Sequence, residues 1–560
     1  MLNRLLSHPL FLFGLVAFIY LLAIPVDVME VDSAQYFSMT NEMLQRGNWL
    51  EFTDRGKPYL DKPPFIFWIS GLFFSVFGSS EFAFKLPSIL FSIVGWYATY
   101  RLAALFYNGQ TARLAALMLA TSQGYFHFNN DIRTDTYLTN SVITAVWMLA
   151  EFLYGNRKAY WWMGGFACIG IGMLAKGPMA LVAPAAALGT HILLKGEWKN
   201  LLRWQWLAGL AVSLVVLSPM LYGLYTQFDA QPNTMVNGRT GVSGIRFFFW
   251  EQSFGRITGE NVWKNDTGPL FFVHNMAWSF LPWSVLLVAA LLRVIGSLGN
   301  KTVPFRLSRN EWISLGGFLL PFIALSLSKY KLPHYIYVTF PFAAIFTAQY
   351  FAELAESKAE KLKSTLITIQ MIVLFGCWAF GGLIFVYFFP LENPILMLVG
   401  ALGLLGYLLF GFRRKIPFDS RWLLVSLSSS LSINILLATH FYPSILKYQS
   451  SAHAGRYALE NGIPLNRLYV FDCNGRALDV YTGHVQQEAN IENLKSALKP
   501  GEPIYVYTQL EGKVKLEEAG FLVESVFKSP HYAVTLLTMN FGNPKTRASV
   551  LNEGHLLKLQ

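Results

Sequence analysis

Charged side chains are scarce in this chain of 560 residues: Asp, Glu, Lys and Arg make up 14%, against 54% hydrophobic and 16% aromatic residues. So little charge cannot cover the surface of a water-soluble fold of this length, and a bilayer is the solvent that suits so much apolar surface. The mean hydropathy of +0.39 agrees. Cysteine is nearly absent. Cys168 and Cys377 lie inside apolar runs and only Cys473 lies in a polar stretch, which excludes a disulfide framework and leaves no zinc-type spacing. Low-complexity segments and repeats of fixed period are also lacking. The net charge of +11 does not point to nucleic acid, because the Lys and Arg fall in short gaps between apolar runs, where they orient a membrane protein.

What is present is a long series of apolar runs. Spans are expected near 9–28, 82–106, 111–128, 136–154, 160–175, 178–194, 204–226, 271–293, 312–328, 334–353, 364–390, 394–412 and 421–441, about 13 in all. No small-residue cleavage site follows the first run, so it reads as a retained span rather than a leader. The run 64–77 is apolar but short, and charge decides its place. If it lies on the surface as an interfacial helix, five basic clusters all fall on the cytoplasmic side: Arg157 and Lys158; Lys195, Lys199 and Arg203; Arg293, Lys301, Arg306 and Arg309; Lys358, Lys361 and Lys363; Arg413, Arg414 and Lys415. The outer face then holds 29–81, 129–135, Lys176 with Gly177 and Pro178, 227–270, 328–333 and everything after 441.

After residue 441 the pattern changes to alternating strands and helices: strand 468–472, helix 491–498, strand 504–508, helix 513–519, then a hairpin of 521–527 and 532–539 about 528–530. Asp472-Cys473-Asn474-Gly475 reads as a strand-end turn. The fold class is therefore a polytopic α-helical membrane protein over 1–441, followed by a small soluble α/β domain over 442–560.

The first outer segment is dense in polar signals: Glu30-Val31-Asp32-Ser33-Ala34-Gln35-Tyr36, then Gly56-Lys57-Pro58-Tyr59-Leu60-Asp61-Lys62-Pro63-Pro64. The prolines fix the backbone beside Asp61 and Lys62, so an acid and a base are held at the membrane surface, at the depth of a lipid phosphate. Four further motifs follow on the same face. They are Arg133-Thr134-Asp135-Thr136, Ala175-Lys176-Gly177-Pro178, Phe249-Trp250-Glu251-Gln252 with Gly268-Pro269, and Ser328-Lys329-Tyr330-Lys331-Leu332-Pro333-His334-Tyr335.

In their order these motifs resemble the bacterial lipid A aminoarabinose transferases, which stand with the protein O-mannosyltransferases in the GT-C superfamily. The resemblance covers roughly residues 1–350 by motif and the rest by architecture. It implies an inverting glycosyltransferase of the bacterial inner membrane, with its active site and C-terminal domain periplasmic. The implied donor is a sugar on a polyprenyl phosphate of the undecaprenyl type. The acceptor is lipid A, another glycan or a protein hydroxyl, and membrane lipid is a partner. Such a reaction needs a carboxylate to take the acceptor's proton and cations to hold the departing phosphate. Asp32 matches the family's first-loop acid and is the implied general base. Asp135 is the second candidate, and an ion pair with Arg133 is its competing structural reading. Lys62 matches the donor-phosphate lysine, Tyr59 and Tyr335 match tyrosines near that phosphate, and Arg256, Lys329 and Lys331 add cations.

Two departures bear on chemistry. Asp61 stands where the family has Glu, and Gln252, preceded by Glu251, stands where it has a metal-binding His. A Gln oxygen suits Mg²⁺, Mn²⁺ or Ca²⁺ better than Zn²⁺, so Asp61, Glu251 and Gln252 are candidate ligands for a hard cation. Gln35 replaces a family Arg, which removes or replaces one donor contact. The competing function classes are a transporter or flippase and a ligase of lipid-linked glycans. A transporter would carry mid-span charges and two repeated halves, whereas Lys85 and Arg101 lie toward span ends and no repeat is present.

Overall fold

Helix forms wherever the apolar runs lie, because backbone N–H and C=O groups in lipid have no other partner than one another. The computed structural model describes residues 9–252, 255, 267–297, 310–413, 415–499 and 501–560. Five helical stretches are long and apolar enough to cross a membrane by length and composition: Glu81–Ala104, Trp198–Asp229, Glu360–Phe388, Pro394–Phe412 and Phe418–Leu446. Shorter apolar helices include Pro9–Leu21, Met179–Lys195, Ser284–Ser297 and Ile313–Leu327. Leu207, Val215, Val386 and Ile395 on these helices are more than two-thirds exposed. Water would penalise that surface, and acyl chains do not.

Local signals set the helix ends. Ser80 and Asn108 accept from Ala83 N and Thr111 N at the starts of Glu81–Ala104 and Gly109–Thr121. Pro63 and Pro64 lead into the Phe65–Phe77 helix, where a missing N–H costs nothing, and Gly78 ends it at φ 77°. At 13 residues that helix is about 20 Å long, short of the roughly 30 Å of hydrocarbon. It buries Phe67, Ser70, Gly71 and Phe74 and leaves Leu72, Val76 and Phe77 exposed.

The inner helices pack around Thr134–Tyr154, nearly all of whose residues are buried. Small residues permit the close approach. A Cβ on Gly95 would meet the Asn140 side chain, whose Oδ1 accepts from Tyr125 Oη at 2.6 Å. Two of the expected spans are broken. The 111–128 run divides into Gly109–Thr121 and Gln123–Asn130, and 271–293 into Phe271–Ser279 and Ser284–Ser297. The breaks meet each other: Gln123 N donates to Leu281 O at 2.8 Å, so each satisfies backbone that the other frees. The 334–353 run begins as a 3-10 helix, Pro333–Thr339, and continues as Phe340–Glu356.

The tail forms a five-stranded mixed sheet in the order Gln487–Glu488, Leu468–Val470, Ile504–Gln509, Asn552–Leu559, Val523–His531. The first three strands are parallel and the last two antiparallel. The expected strands 468–472 and 504–508 and helices 491–498 and 513–519 are present with small shifts, the last as Leu510–Glu518. The expected hairpin is not. Residues 523–531 run as one strand through Lys528, Ser529 and Pro530 and pair with Asn552–Leu559, so the true partner lies twenty residues on. Pro530 is tolerated because this is an edge strand.

Candidate active site

Asp32 opens the Asp32–Arg46 helix. Its carboxylate accepts from Arg133 Nη1 at 2.5 Å, and Arg133 Nε donates to Asp131 at 2.7 Å. Ser33 Oγ donates to the other oxygen of Asp131 at 2.7 Å. One guanidinium thus forks between two carboxylates, a geometry that a lysine cannot reproduce. Burial works to raise the Asp131 pKa, but Arg133 and the Ser33 hydroxyl outweigh it and hold the carboxyl below its usual range. Only Oδ2 of Asp32 is engaged by Arg133, and the side chain is 35% exposed, which leaves the second oxygen for an incoming hydroxyl.

A second cluster lies at the start of Thr134–Tyr154. Asp135 is buried and pairs with Lys176, not with Arg133 as its sequence neighbourhood suggested. His334 Nε2 stands 3.8 Å from its other oxygen, and the Lys176 ammonium lies 4.2 Å from the Tyr335 ring centroid. Lys331 is buried and donates to Thr267 O at 2.9 Å, while Lys329 is exposed.

Aromatic packing joins the two clusters. Phe67 of the short Phe65–Phe77 helix touches Tyr36, Phe52 and Tyr59, with ring centroids 5.2–6.3 Å apart, and Phe65 lies edge-on to Tyr137 at 5.4 Å. Burial, then the nearby Asp32 carboxylate and Tyr59, push the Tyr36 phenol well above its ordinary value. Burial and the carboxylates of Asp61, Asp32 and Asp54 do the same to Tyr59. Both therefore stay protonated hydrogen-bond donors at neutral pH. Tyr59 and Lys62 line one cleft with Pro63, Gln227 and Gln252. Gln227 fastens this wall by exchanging two hydrogen bonds with the Phe52 backbone, at 3.2 and 2.8 Å.

The proposed cation ligands are otherwise engaged. Asp61 Oδ1 accepts from Asn237 at 3.0 Å, Glu251 pairs with Arg239 at 3.3 Å, and the Gln252 amide donates to the Asp61 backbone carbonyl. Among the described residues no three His, Cys, Asp or Glu side chains gather at one point. The donor set as arranged does not fit a cation. Arg256, expected at the donor phosphate, lies outside the described residues.

The tail grips the segment that follows the first apolar helix. Arg55 donates to Asp479 from Nε at 3.0 Å and Nη2 at 3.1 Å, and both side chains are almost wholly buried. Ser38 Oγ also donates to Asp479 at 2.9 Å. Arg476 clamps Asp54, which accepts from Gln35 Nε2 at 2.7 Å. Gln35, at the position of the missing arginine, is thus tied into a chain that ends in the tail. Arg456 pairs with Asp27, and Gln449 bonds both Glu30 N and Val28 O. Sequence reasoning gave Arg133 only an ion pair with Asp135 and assigned no role to Lys176, Arg55 or Asp479. The first two stand in the quoted motifs; the last pair carries no local signal, because its partners are 424 residues apart.

Fold and site together describe a multi-pass helical membrane protein whose tail forms a mixed sheet beside a cluster of charged and aromatic side chains. The model of the dolichyl-phosphate-mannose-protein mannosyltransferase family matches residues 61–222. The undecaprenyl phosphate-alpha-4-amino-4-deoxy-L-arabinose arabinosyl transferase of Pseudomonas aeruginosa is 28% identical over 313 residues, 54% of this chain and 52% of the relative, so the match spans about half that relative's length. The transferase of the same name from Pseudomonas savastanoi pv. phaseolicola is 25% identical over 73% of both chains. ArnT from Cupriavidus metallidurans superposes with a TM-score of 0.75 bound to undecaprenyl phosphate and 0.76 in the apo state, at 14% and 13% identity, over 97% or more of each chain. The resemblance read from the outer-face motifs holds at the level of sequence and of fold.

Proposed function

We propose that this chain is an inverting glycosyltransferase that moves a sugar from an undecaprenyl-phosphate-type carrier to an acceptor on the periplasmic face of a bacterial inner membrane. The observation that carries it is the Asp32 carboxylate held on one oxygen by Arg133 at the mouth of the outer-face site. The acceptor oxygen attacks the anomeric carbon from the side opposite the phosphate. An acceptor hydroxyl gives its proton to Asp32, and the anomeric C–O bond breaks with its electron pair leaving on the phosphate. Lys62, with the Tyr59 and Tyr335 hydroxyls, holds that phosphate as its charge grows, and Arg256, Lys329 and Lys331 extend the cationic surround. Asp135, paired with Lys176, orients that lysine toward the donor.

About thirteen spans over 1–441 and a periplasmic domain over 442–560 complete the reading, supported by the basic clusters between spans and by the ArnT-like fold. Relatives that are named for undecaprenyl-phosphate aminoarabinose transfer support the carrier, while the sugar stays open. The test is mass spectrometry of lipid A, surface glycans and periplasmic glycoproteins from cells with and without the gene. One glycan mass is expected to disappear on deletion and return with the wild-type chain but not with Lys62→Ala. Identical profiles would contradict the reading.

A further inference from the structure

A cleft of about 450 Å³ lies between the first outer segment and the tail, within the range of small-molecule sites. Its wall on one side is Glu30 and Val31, the two residues before Asp32. The other side comes from the sheet and the segment after it, with Gln509, His531 and Asn552 among its polar groups.

The chemistry of this lining contrasts with the donor side. No lysine or arginine lines the cleft among the described residues. Burial lowers the His531 pKa, so its ring is neutral at neutral pH, and its Nδ1 is occupied by Ser450 Oγ at 2.9 Å. Gln509 Oε1 accepts from Asn552 Nδ2 at 3.0 Å, which leaves its side-chain amide N–H groups facing the cleft as donors. Asn474 is exposed at the rim. Ala533, Val534 and Val550 add apolar surface. Amide groups that donate and accept, a neutral ring and an apolar wall match the alternating hydroxyls and C–H faces of a sugar. A phosphate would find a carboxylate, Glu30, and no cation.

We infer that this cleft binds the acceptor, and that the acceptor is a neutral saccharide presented by its hydroxyls rather than a phosphate group. The inference rests on the glycosyltransferase reading and narrows it. The cleft ends one residue from the proposed base, so a saccharide seated there brings a hydroxyl toward Asp32 while the donor enters from the Lys62 side.

The test uses the full chain in nanodiscs. Saturation-transfer NMR is recorded with maltotriose, N,N′-diacetylchitobiose and a Ser/Thr-rich peptide, and undecaprenyl phosphate binding is measured by native mass spectrometry on the same preparations. Transfer to at least one saccharide is expected, unaffected by excess inorganic phosphate. It should fall about fivefold in Gln509→Ala, the loss of roughly one hydrogen bond, and vanish in Asn474→Trp, which fills the rim from an exposed position. A chain that binds undecaprenyl phosphate but no saccharide overturns the inference and leaves the glycosyltransferase reading standing. Displacement of the saccharide by phosphate, preference for the peptide, or unchanged binding in Asn474→Trp also overturns it. Failure to bind either undecaprenyl phosphate or saccharide overturns both.

Discussion

Arg133 is shared between Asp131 and Asp32, and that sharing fixes where the second oxygen of Asp32 points. Asp131 is the anchor of the fork. Its folded pKa is depressed, so it contributes stability above the unfolded carboxylate range and loses it as pH falls through the folded value. Asp131→Asn is therefore expected to flatten the acid limb of the Tm against pH curve, measured by thermal unfolding in detergent. An acid limb as steep as in the wild type would contradict this. The sequence carried Asp32, Lys62 and Tyr59 in recognisable motifs, but not the fork. Asp131 and Arg133 are near neighbours in sequence and Asp32 is 101 residues away from Arg133, so only the folded contact of residues 131–133 with Asp32 and Ser33 reveals which carboxylates share the guanidinium.

Among the elements, the Arg476–Thr482 helix of the tail and the short Thr53–Asp54 and Lys57–Pro58 hairpin are joined by buried ion pairs rather than by apolar contact alone. Arg55 and Asp479 are the most buried of these, and Arg55 stays protonated beside its partner. Removing one member of such a pair leaves an unpaired buried charge, a cost of about 3–5 kcal/mol. Arg55→Ala is expected to lower Tm sharply, whereas Arg55→Met combined with Asp479→Leu recovers most of the loss. If the double variant were no more stable than Arg55→Ala, the pair would not be the brace described. Helix positions were legible in the sequence because apolar runs and basic gaps are local. The hairpin about 528–530 was not: Lys-Ser-Pro is good turn chemistry, yet the Asn552–Leu559 strand offers eight residues of pairing and overrides it.

For the whole molecule, orientation decides whether the site faces the carrier lipid. The five basic clusters, the short Phe65–Phe77 helix and the gathering of Asp32, Asp135 and Lys62 all agree with one topology. Alkaline phosphatase fused after residue 80 or 450 is expected to be active, and fused after residue 157 or 199 inactive. The reverse pattern would place the carboxylates in the cytosol. The apolar helices were legible from hydropathy, while the breaks near Ser122 and Pro282 were not, since each relies on the other for its backbone partner.

The central claim is that Asp32 takes the acceptor's proton, and consumption of an undecaprenyl-phosphate-linked sugar by the purified chain in nanodiscs tests it. Asp32→Asn is expected to slow turnover by about 10²–10⁴-fold while undecaprenyl phosphate binding stays within twofold of wild type. Wild-type turnover in Asp32→Asn, with the carrier bound, would contradict the account.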